Sequence, residues 1–452
     1  MSGMRFFLAI CEVAVGGVAL AAAEFNVRDI GAVGDGVTKD TAAVQKALDA
    51  CVGTGGRVIV PAGTYLIGTI RLKDRTELRL EKGATLLGSP DLRDYNADDA
   101  YPQNFGSKAE RWSGKHLVLA LEAKGVAITG EGTIDGNGAS FMAEPSEKMP
   151  RYDIVWRHGY LTTNGRQEGF RPGQEIAFVE CANVRVEGVT LRNMAMWTCF
   201  FHGCENVTVR DVRVRNDMRF ANTDGFDFDT CRNVVATGCD IVSGDDAFAI
   251  RCCPGRLRDK SKRVCENIVV SNCTSATAAS GIRVAVGDGA VRNVRFCDYR
   301  MKEAGHALLV QSKYPTTKYR GLDIEDVEFS NFTIENSPAP ILVIAGTPDA
   351  SAKLRNVVFR DIRATFDGRV MIAGEENLRP DGVRFENVTL TVTKPPKPVR
   401  QDWELGTLTA DDPVVSVTRA DNVTFRNVKV VTEDGLARKR LDVRDATGFV
   451  ED

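Results

Sequence analysis

The sequence predicts an all-β protein that forms a single parallel β-helix. From about residue 183 a short pattern recurs, in which apolar residues alternate at a period of two and a two-residue step often holds Gly, Asn or Asp. The alternation indicates strands with one buried face, and the step indicates a bend between two strands. Repeats of 23 to 40 residues predict a solenoid whose coils stack on one another. Copies of the pattern begin at Val184, Val207, Val234, Ile268, Val294, Val327, Val357, Val383 and Val423.

Residues 1–23 resemble a secretory signal peptide. Arg5 is followed by an apolar stretch and by small residues that end at Ala23. Glu12 interrupts the apolar stretch, and a buried N-terminal strand or helix is the alternative. Because the apolar run is too short and too broken to span a bilayer, we expect an exported protein without a membrane span.

Residues 24–75 are predicted to form an N-terminal cap and the first coils. Asp40 precedes a segment in which Val44, Leu48 and Cys51 share one helical face, which predicts a short amphipathic helix. Such a helix would cover the open end of the apolar core, as solenoids require. The glycine-rich GAVGDG nearby lacks the Lys and Ser or Thr of a phosphate-binding loop.

The rest of the chain divides by its repeat pattern. Residues 76–430 carry the repeats and are predicted to form the β-helix domain with the functional site. Residues 431–452 lose the pattern, which predicts a terminal cap or tail. A formal net charge of −3 gives no general attraction to nucleic acid or to anionic membranes.

Four of the twelve cysteines occupy equivalent positions just before the repeated pattern. Equivalent positions in successive coils stack inside a solenoid, and Cys behaves as a small core hydrophobe. We therefore favour a buried ladder of thiols over a disulfide framework. The absence of paired CxxC motifs and the presence of only four histidines argue against a zinc site. The ladder comprises Cys181, Cys204, Cys231 and Cys265.

Three aspartates are spaced by about one coil. Asp224 lies in NTDG, and Asp245 and Asp246 lie in SGDD, 21 and 22 residues later. Because adjacent coils are about 4.8 Å apart, the three carboxylates are expected to converge on one face. The alternative is a set of turn-capping aspartates or a calcium site, although calcium requires six or more oxygen ligands and is not indicated.

Several motifs together resemble glycoside hydrolase family 28, the polygalacturonase family. The resemblance implies a right-handed parallel β-helix of the pectin lyase-like superfamily, with no cofactor. It also implies hydrolysis with inversion, in which Asp245 is the general acid and Asp224 and Asp246 position and deprotonate the attacking water. The motifs are VIVPAGTY, GEGTIDGNG at 130–138, RP at 171–172, NTDGFDFD and SGDD.

Local geometry sets two conditions on this assignment. Neighbouring residues of a regular strand point to opposite faces, so Asp245 and Asp246 can share a site only if the backbone bends, which Gly244 permits. Spacing by one coil would also suit a retaining enzyme. Inversion is therefore implied by the resemblance and not by the spacing.

The chain departs from the family where substrate is bound. Ser280 or Gly281 stands where the family carries the His of a Gly-His-Gly motif, and Leu309 and Gln311 stand where it carries the Arg and Lys that grip a sugar carboxylate. Other residues could compensate, Arg283 above all because its forked donors suit a carboxylate. The predicted substrate-binding residues are Asn222, Arg251, Arg283, His306, Gln311 and Lys313.

Two further features near the site have open interpretations. The basic loop of residues 254–263 could hold an anionic polysaccharide or could be an ordinary solvated loop. Trp197 and Phe200 could form a stacking platform for a sugar ring or could be core residues.

Taken together, these features predict an exported glycoside hydrolase that cleaves a pectin-type polysaccharide or oligosaccharide, with an anionic substrate as its partner. The alternatives are the same chemistry on another glycan, and a non-catalytic β-helix that binds polysaccharide. The sequence leaves open the choice between endo and exo action and the oligomeric state.

Overall fold

A computed structural model describes most of the chain and shows a helix of stacked parallel strands. The predicted signal peptide, residues 1–23, lies almost entirely outside the described residues. Those are 23–96, 114–141, 171–259, 261–314, 320–393, 400–402, 406–408, 411–433, 436 and 438–452.

Each coil contributes strands to three faces, which we name sheets A, B and C. Sheet A begins with Glu24–Asn26, Arg57–Val60, Glu77–Leu80, Ala127–Gly130, Ala182–Glu187, Glu205–Arg210 and Arg232–Thr237. Sheet B begins with Asp35–Lys39, Gly63–Ile67, Ala84–Gly88, Thr133–Asp135, Thr190–Arg192, Arg213–Arg215 and Asp240–Ser243.

Later coils run through both of these sheets in single bent strands, and a separate sheet closes the third side. The bent strands are Val264–Thr277, Ala290–Glu303, Asp323–Ser337, Leu354–Phe366, Arg384–Val392 and Thr424–Thr432, with Val450–Glu451 paired to the last. Sheet C contains Ile70–Leu72, Val118–Leu121, Ile176–Val179, Cys199–His202, Phe226–Asp229, Phe248–Cys252, Ser280–Gly287, His306–Gln311, Ala339–Ile344, Val370–Ala373, Val415–Asp421 and Leu441–Thr447.

The described residues contain few other elements. The α-helix is Thr41–Cys51, and an antiparallel hairpin joins Arg400–Asp402 to Gly406–Leu408. The 3-10 helices are Val27–Ile30, Leu92–Asp94, Gly138–Phe141 and Pro254–Arg256.

The repeated pattern of the sequence corresponds to one column of the structure. Val184 pairs with Val207 in the next coil, and Val207 pairs with Val234. Each valine is buried, so every copy of the pattern contributes the same inward-facing position to the core. The predicted parallel β-helix is therefore confirmed. The same register continues through Ile268, Val294, Val327 and Val357.

The two-residue step of the pattern is a bend, as predicted. Gly188, Asp211, Gly238 and Asn272 occupy it in successive coils, all with positive φ. Left-handed backbone is least costly for Gly and is tolerated by Asn and Asp. The composition of the step therefore follows from the conformation that turns the chain between sheets A and B.

The ends of the solenoid are covered differently. At the N-terminus the helix Thr41–Cys51 buries Val44, Leu48 and Cys51 against the core, as predicted. Asp40 does not cap this helix with its side chain; its carboxylate accepts hydrogen bonds from the backbone of the preceding loop. At the C-terminus the strands Leu441–Thr447 and Val450–Glu451 extend the stack by a further partial coil.

Aromatic rings fill the interior behind sheet C. The rings of Phe178, Phe201 and Phe228 stack with successive centroid separations of 5.1 Å. Phe248 continues the stack in the next coil. Because these residues face inward, the intervening residues of the same strands face outward, and this alternation places polar side chains on the outer surface of sheet C.

The predicted thiol ladder is confirmed. In the part of the chain that the structure describes, the cysteines are free thiols, and Cys181, Cys204, Cys231 and Cys265 are all buried. The Cys231 amide donates to the Cys265 sulfur at 3.3 Å. Burial raises the pKa of Cys231 and Cys265, which keeps these thiols protonated and unreactive.

A reducing agent is therefore expected to leave the unfolding temperature unchanged. A disulfide framework would contribute roughly 2 to 5 kcal/mol of stability that reduction would remove. Thermal unfolding with and without reductant measures the difference, and thiol titration of the native and the denatured protein gives a second readout. A clear drop in the unfolding temperature on reduction would contradict the ladder.

No helix within the described ranges is long and apolar enough to cross a membrane.

Candidate active site

The three predicted catalytic aspartates lie at the corner where the chain passes from sheet B to sheet C. Asp224 and Asp246 each stand two residues before an inward-facing phenylalanine, Phe226 and Phe248, and these two phenylalanines pair in neighbouring coils. The Gly225 amide donates to the Asp246 carbonyl at 2.8 Å, which fixes the register. Asp224 and Asp246 therefore occupy the same position in successive coils.

The carboxylates converge as the spacing predicted. One oxygen each from Asp224, Asp245 and Asp246 lies within 4.8 Å of the others. All three side chains are less than 10% exposed. Carboxylates this close together can divide the roles of acid and base between them.

A bend at Gly244 lets adjacent aspartates share the site, which resolves the geometric condition set by the sequence. A Cβ atom at this position would lie 2.0 Å from the Phe220 carbonyl oxygen. The Gly244 amide donates to the Thr223 hydroxyl at 3.0 Å, and the Ser243 hydroxyl donates to the Asp245 carbonyl at 2.7 Å. Glycine is required here because the backbone of the previous coil occupies the space of a side chain.

Asn222 forms hydrogen bonds with two residues, Asp245, the predicted general acid, and Arg171, which lies 51 positions earlier in the chain. Its side-chain amide donates to Asp245 Oδ2 at 3.2 Å, and its own Oδ1 accepts from Arg171 Nη2 at 3.0 Å. Arg171 Nη1 also donates to the carbonyls of Ala195 and Ala221. Arg171 thus clamps two coils and orients the Asn222 amide so that its NH2 group faces Asp245.

Two arginines flank the carboxylates. Arg283 Nε lies 2.6 Å from Asp246 Oδ2, and both side chains are buried. Asp246 Oδ1 also accepts from the Ser280 amide at 3.1 Å. Arg251 Nη1 lies 3.8 Å from Asp227, and its guanidinium stands 4.3 Å from the centre of the Trp197 ring.

Burial and like charge act together on Asp224. Burial raises the pKa of Asp224 well above its usual range, the charges of Asp227, Asp245 and Asp246 raise it further, and Arg251 opposes them. Clustered carboxyls of this kind retain a proton near neutral pH. The cluster can therefore supply both a protonated acid and an ionised base, which is the combination that glycoside hydrolysis requires.

The remaining predicted binding residues lie on the C-terminal side of the aspartates. Ser280 lies one coil beyond Asp246, and His306 pairs with Ser280 from the following coil. His306 is buried. Gln311 is buried on the same strand as His306, and its Oε1 has no hydrogen-bond partner. Lys313 forms an ion pair with Asp349. The structure therefore brings Asn222 and Arg283 into contact with the carboxylates, and places the other candidates along the outer side of sheet C.

The basic loop packs against turns of the preceding coils. Arg258 Nη1 lies 3.0 Å from Glu122, and Lys262 donates to the Gly203 carbonyl at 2.7 Å. Lys260 lies outside the described residues. Where the structure describes it, the loop is held by its own chain, and a role in binding polysaccharide stays a prediction.

Trp197 and Phe200 form a small cluster with Met196 that is separate from the main core. Their rings meet edge to face with centroids 5.4 Å apart. The Thr198 amide donates to the Asp224 carbonyl at 2.9 Å, which shows that Trp197 lies one coil before Asp224. It is therefore a neighbour of the carboxylates and not a residue of the interior.

Comparison with known proteins decides the family. The sequence profile of the glycosyl hydrolases family 28 matches residues 53–403, most of the chain. The chain belongs to glycoside hydrolase family 28. The resemblance predicted from NTDG and SGDD is thus confirmed, and with it the class of enzyme.

Members of family 28 resemble the chain in sequence and in structure. A probable polygalacturonase of Arabidopsis thaliana is 26% identical over 68% of this chain and 66% of its own length. An exo-poly-α-D-galacturonosidase of Dickeya chrysanthemi is 31% identical over 49% of this chain but only 41% of its own length. The family 28 exopolygalacturonase of Yersinia enterocolitica superposes with a TM-score of 0.72 at 20% identity, covering 95% of this chain and 78% of that one. The structural likeness confirms the right-handed β-helix.

Three residues near the site were not predicted from the sequence to be functional. Arg171 was noticed only as part of the RP motif, and Gln174 and Glu175 were not singled out at all. All three come just before the strand Ile176–Val179, two coils from Asp224 and three from Asp246. The repeat pattern could have found this position, because it aligns with the residues before the aspartate-bearing strands.

Proposed function

We propose that this family 28 protein hydrolyses the glycosidic bonds of a pectin-type galacturonan or its oligomers with inversion at the anomeric carbon. The observation that supports the proposal most is the convergence of Asp224, Asp245 and Asp246 within 4.8 Å. The names of the similar proteins from Arabidopsis and Dickeya point to the same substrate class.

In the proposed reaction, Asp245 donates its proton to the oxygen of the leaving sugar while the glycosidic bond breaks. Water, positioned by Asp224, attacks the anomeric carbon from the opposite face and loses its proton to Asp246. Asp246, ion-paired with Arg283, suits the role of the base. The NH2 group of Asn222 hydrogen-bonds the Asp245 carboxylate that remains after proton transfer.

One observation favours a second candidate, the same chemistry on a glycan other than galacturonan. Leu309, which stands where the family carries its arginine, is buried and packs with Leu342 and Ile344. An apolar surface offers a sugar carboxylate no partner. Arg283 and Lys313 are the cations nearby, and both are ion-paired within the chain.

Release of reducing ends from polygalacturonan, rhamnogalacturonan and a panel of neutral glycans tests these alternatives. Cleavage of a pectic polymer supports the proposal, and cleavage of a neutral glycan alone favours the second candidate. Retention on an immobilised polymer without cleavage would favour a non-catalytic binding role. NMR of the first-formed anomer then distinguishes inversion from retention.

We also propose that the protein is exported through residues 1–23. Sequencing the N-terminus of the protein from the extracellular or periplasmic fraction tests this, and a mature chain that begins at Glu24 is the expected result.

Arg171→Lys is expected to lower kcat about ten-fold and to leave KM nearly unchanged. Lysine keeps the charge, but its three donors radiate from one nitrogen and cannot reproduce the planar fork that reaches both carbonyls and the Asn222 side chain, so Asn222 loses the bond that orients its amide. One hydrogen bond is worth about 1 to 1.5 kcal/mol, which corresponds to roughly ten-fold in rate.

A double-mutant cycle with Asn222→Ala shows whether Arg171 acts through Asn222. In that background Arg171→Lys should have little further effect, because the two residues act as one unit. Arg185→Lys, at a half-exposed position on sheet A, is the matched control. Independent, additive losses would contradict the relay.

A further inference from the structure

Gln174 occupies the position of the catalytic aspartates two coils earlier than Asp224. Ile176 pairs with Cys199, and Cys199 pairs with Phe226, so the residues two places before each of them also align. Those residues are Gln174, Trp197 and Asp224. The Glu175 amide donates to the Trp197 carbonyl at 2.9 Å, which confirms the register. At about 4.8 Å per coil, Gln174 stands roughly 10 Å from Asp224 along the solenoid axis.

Side chains at this position point away from the core. The next residue in each coil points inward instead, since Ala247 and Ala307 in that place belong to the core. Trp197, at the same position as Gln174, belongs instead to a cluster that is separate from the main core. The side chain of Gln174 therefore belongs to the row that carries the catalytic carboxylates.

The amide of Gln174 is buried without a partner. The side chain is 1% exposed, and neither Oε1 nor Nε2 has a hydrogen-bond partner within the protein. The backbone at this residue is well fixed, since its carbonyl lies 2.6 Å from Nδ1 of His116. Buried amides without partners are rare and costly. An amide kept in such a place points to a ligand that completes its hydrogen bonds.

We propose that Gln174 binds hydroxyl groups of the glycan at a subsite two coils to the N-terminal side of the catalytic aspartates. This rests on the proposed glycan hydrolysis. An amide supplies one acceptor and two donors without charge, a set that matches neighbouring sugar hydroxyls. Trp197 lies between Gln174 and Asp224 in the same row.

Gln174→Met tests the subsite, because methionine keeps the length of the side chain and removes its hydrogen bonds. The substrates are a dimer and a tetramer of the glycan that the wild type cleaves. For the tetramer we expect kcat/KM to fall about ten-fold. The dimer needs only the subsites next to the cleaved bond, so its kcat/KM should change less than two-fold. Equal losses on both substrates, or no loss on either, would overturn the proposal.

The unfolding temperature of Gln174→Met gives a second readout, because a structural role for Gln174 would change it in the opposite direction. Removing an unpartnered buried amide should leave the unfolding temperature unchanged or higher. A fall in the unfolding temperature would show that Gln174 stabilises the fold, and would overturn the proposal.

Binding separates failure of the subsite from failure of the proposed function. In the Asp245→Asn background, the Kd of oligogalacturonide dimer and tetramer is measured with and without Gln174→Met. If the wild type cleaves nothing but Gln174→Met weakens tetramer binding alone, the hydrolase proposal fails and the subsite stands. If the tetramer binds equally well to Asp245→Asn with and without Gln174→Met, or binds to neither protein, the proposed subsite is wrong.

Discussion

Asp245→Asn is expected to lower kcat/KM on the natural glycan by roughly 10² to 10⁴-fold, the usual contribution of a general acid. Asparagine has nearly the same shape and can still accept from the Asp246 amide, but it has no acidic proton for the leaving sugar. The initial rate of reducing-end release measures the effect. Because the carboxylate cluster repels itself, the fold should not be destabilised by the change.

Two comparisons separate the acid from its neighbours. Aryl glycosides with good leaving groups need little protonation, so Asp245→Asn should lose far less activity on them, whereas Asp246→Asn should lose activity on both kinds of substrate. Asp240→Asn is the matched control, because Asp240 lies five residues earlier on sheet B and pairs with Arg215. An equal loss in Asp240→Asn, or equal losses of Asp245→Asn on both kinds of substrate, would contradict the assignment.

Glu175→Gln is expected to make the protein markedly more stable than the wild type at alkaline pH. The pKa of Glu175 is raised from 4.5 to about 8, chiefly by burial; the Ala195 amide and Arg171 oppose this rise, and the charge of Asp135 adds to it. The folded protein thus holds a proton that the unfolded chain releases above its own pKa. Wild-type stability should therefore fall as the pH rises from about 4.5 to 8, by roughly 3 to 6 kcal/mol in total.

Glutamine reproduces the protonated, neutral form of Glu175 and can still accept from the Ala195 amide. The variant and the wild type should therefore have similar free energies of unfolding near pH 4 and should diverge progressively from about pH 4.5 to 8. Denaturant unfolding at several pH values measures this, with Glu131→Gln, an exposed position, as the control. A constant difference at all pH values would refute the buried-acid explanation.

Much of the fold could be predicted because the same apolar pattern recurs once per coil in the sequence. Val184, Val207 and Val234 mark one inward-facing column, and the structure places them in direct register. The capping helix was equally visible, since Val44 and Leu48 lie one turn apart on an apolar face. The loss of pattern after residue 431, by contrast, hid the strand Leu441–Thr447, whose side chains are largely exposed and so leave no apolar alternation.

The sequence by itself determined the coil length, the core column and the convergence of Asp224 with Asp245 and Asp246, because one coil of spacing brings equivalent residues side by side. It could not determine what holds these groups. The tertiary structure alone decided that Arg171 reaches Asn222, that Arg283 pairs with Asp246, and that the Gln174 amide is buried beside the site. The first two contacts join residues at unequal intervals of 51 and 37 positions. Loops of variable length determine such intervals, and the direction of each side chain at the bend determines which residue it contacts.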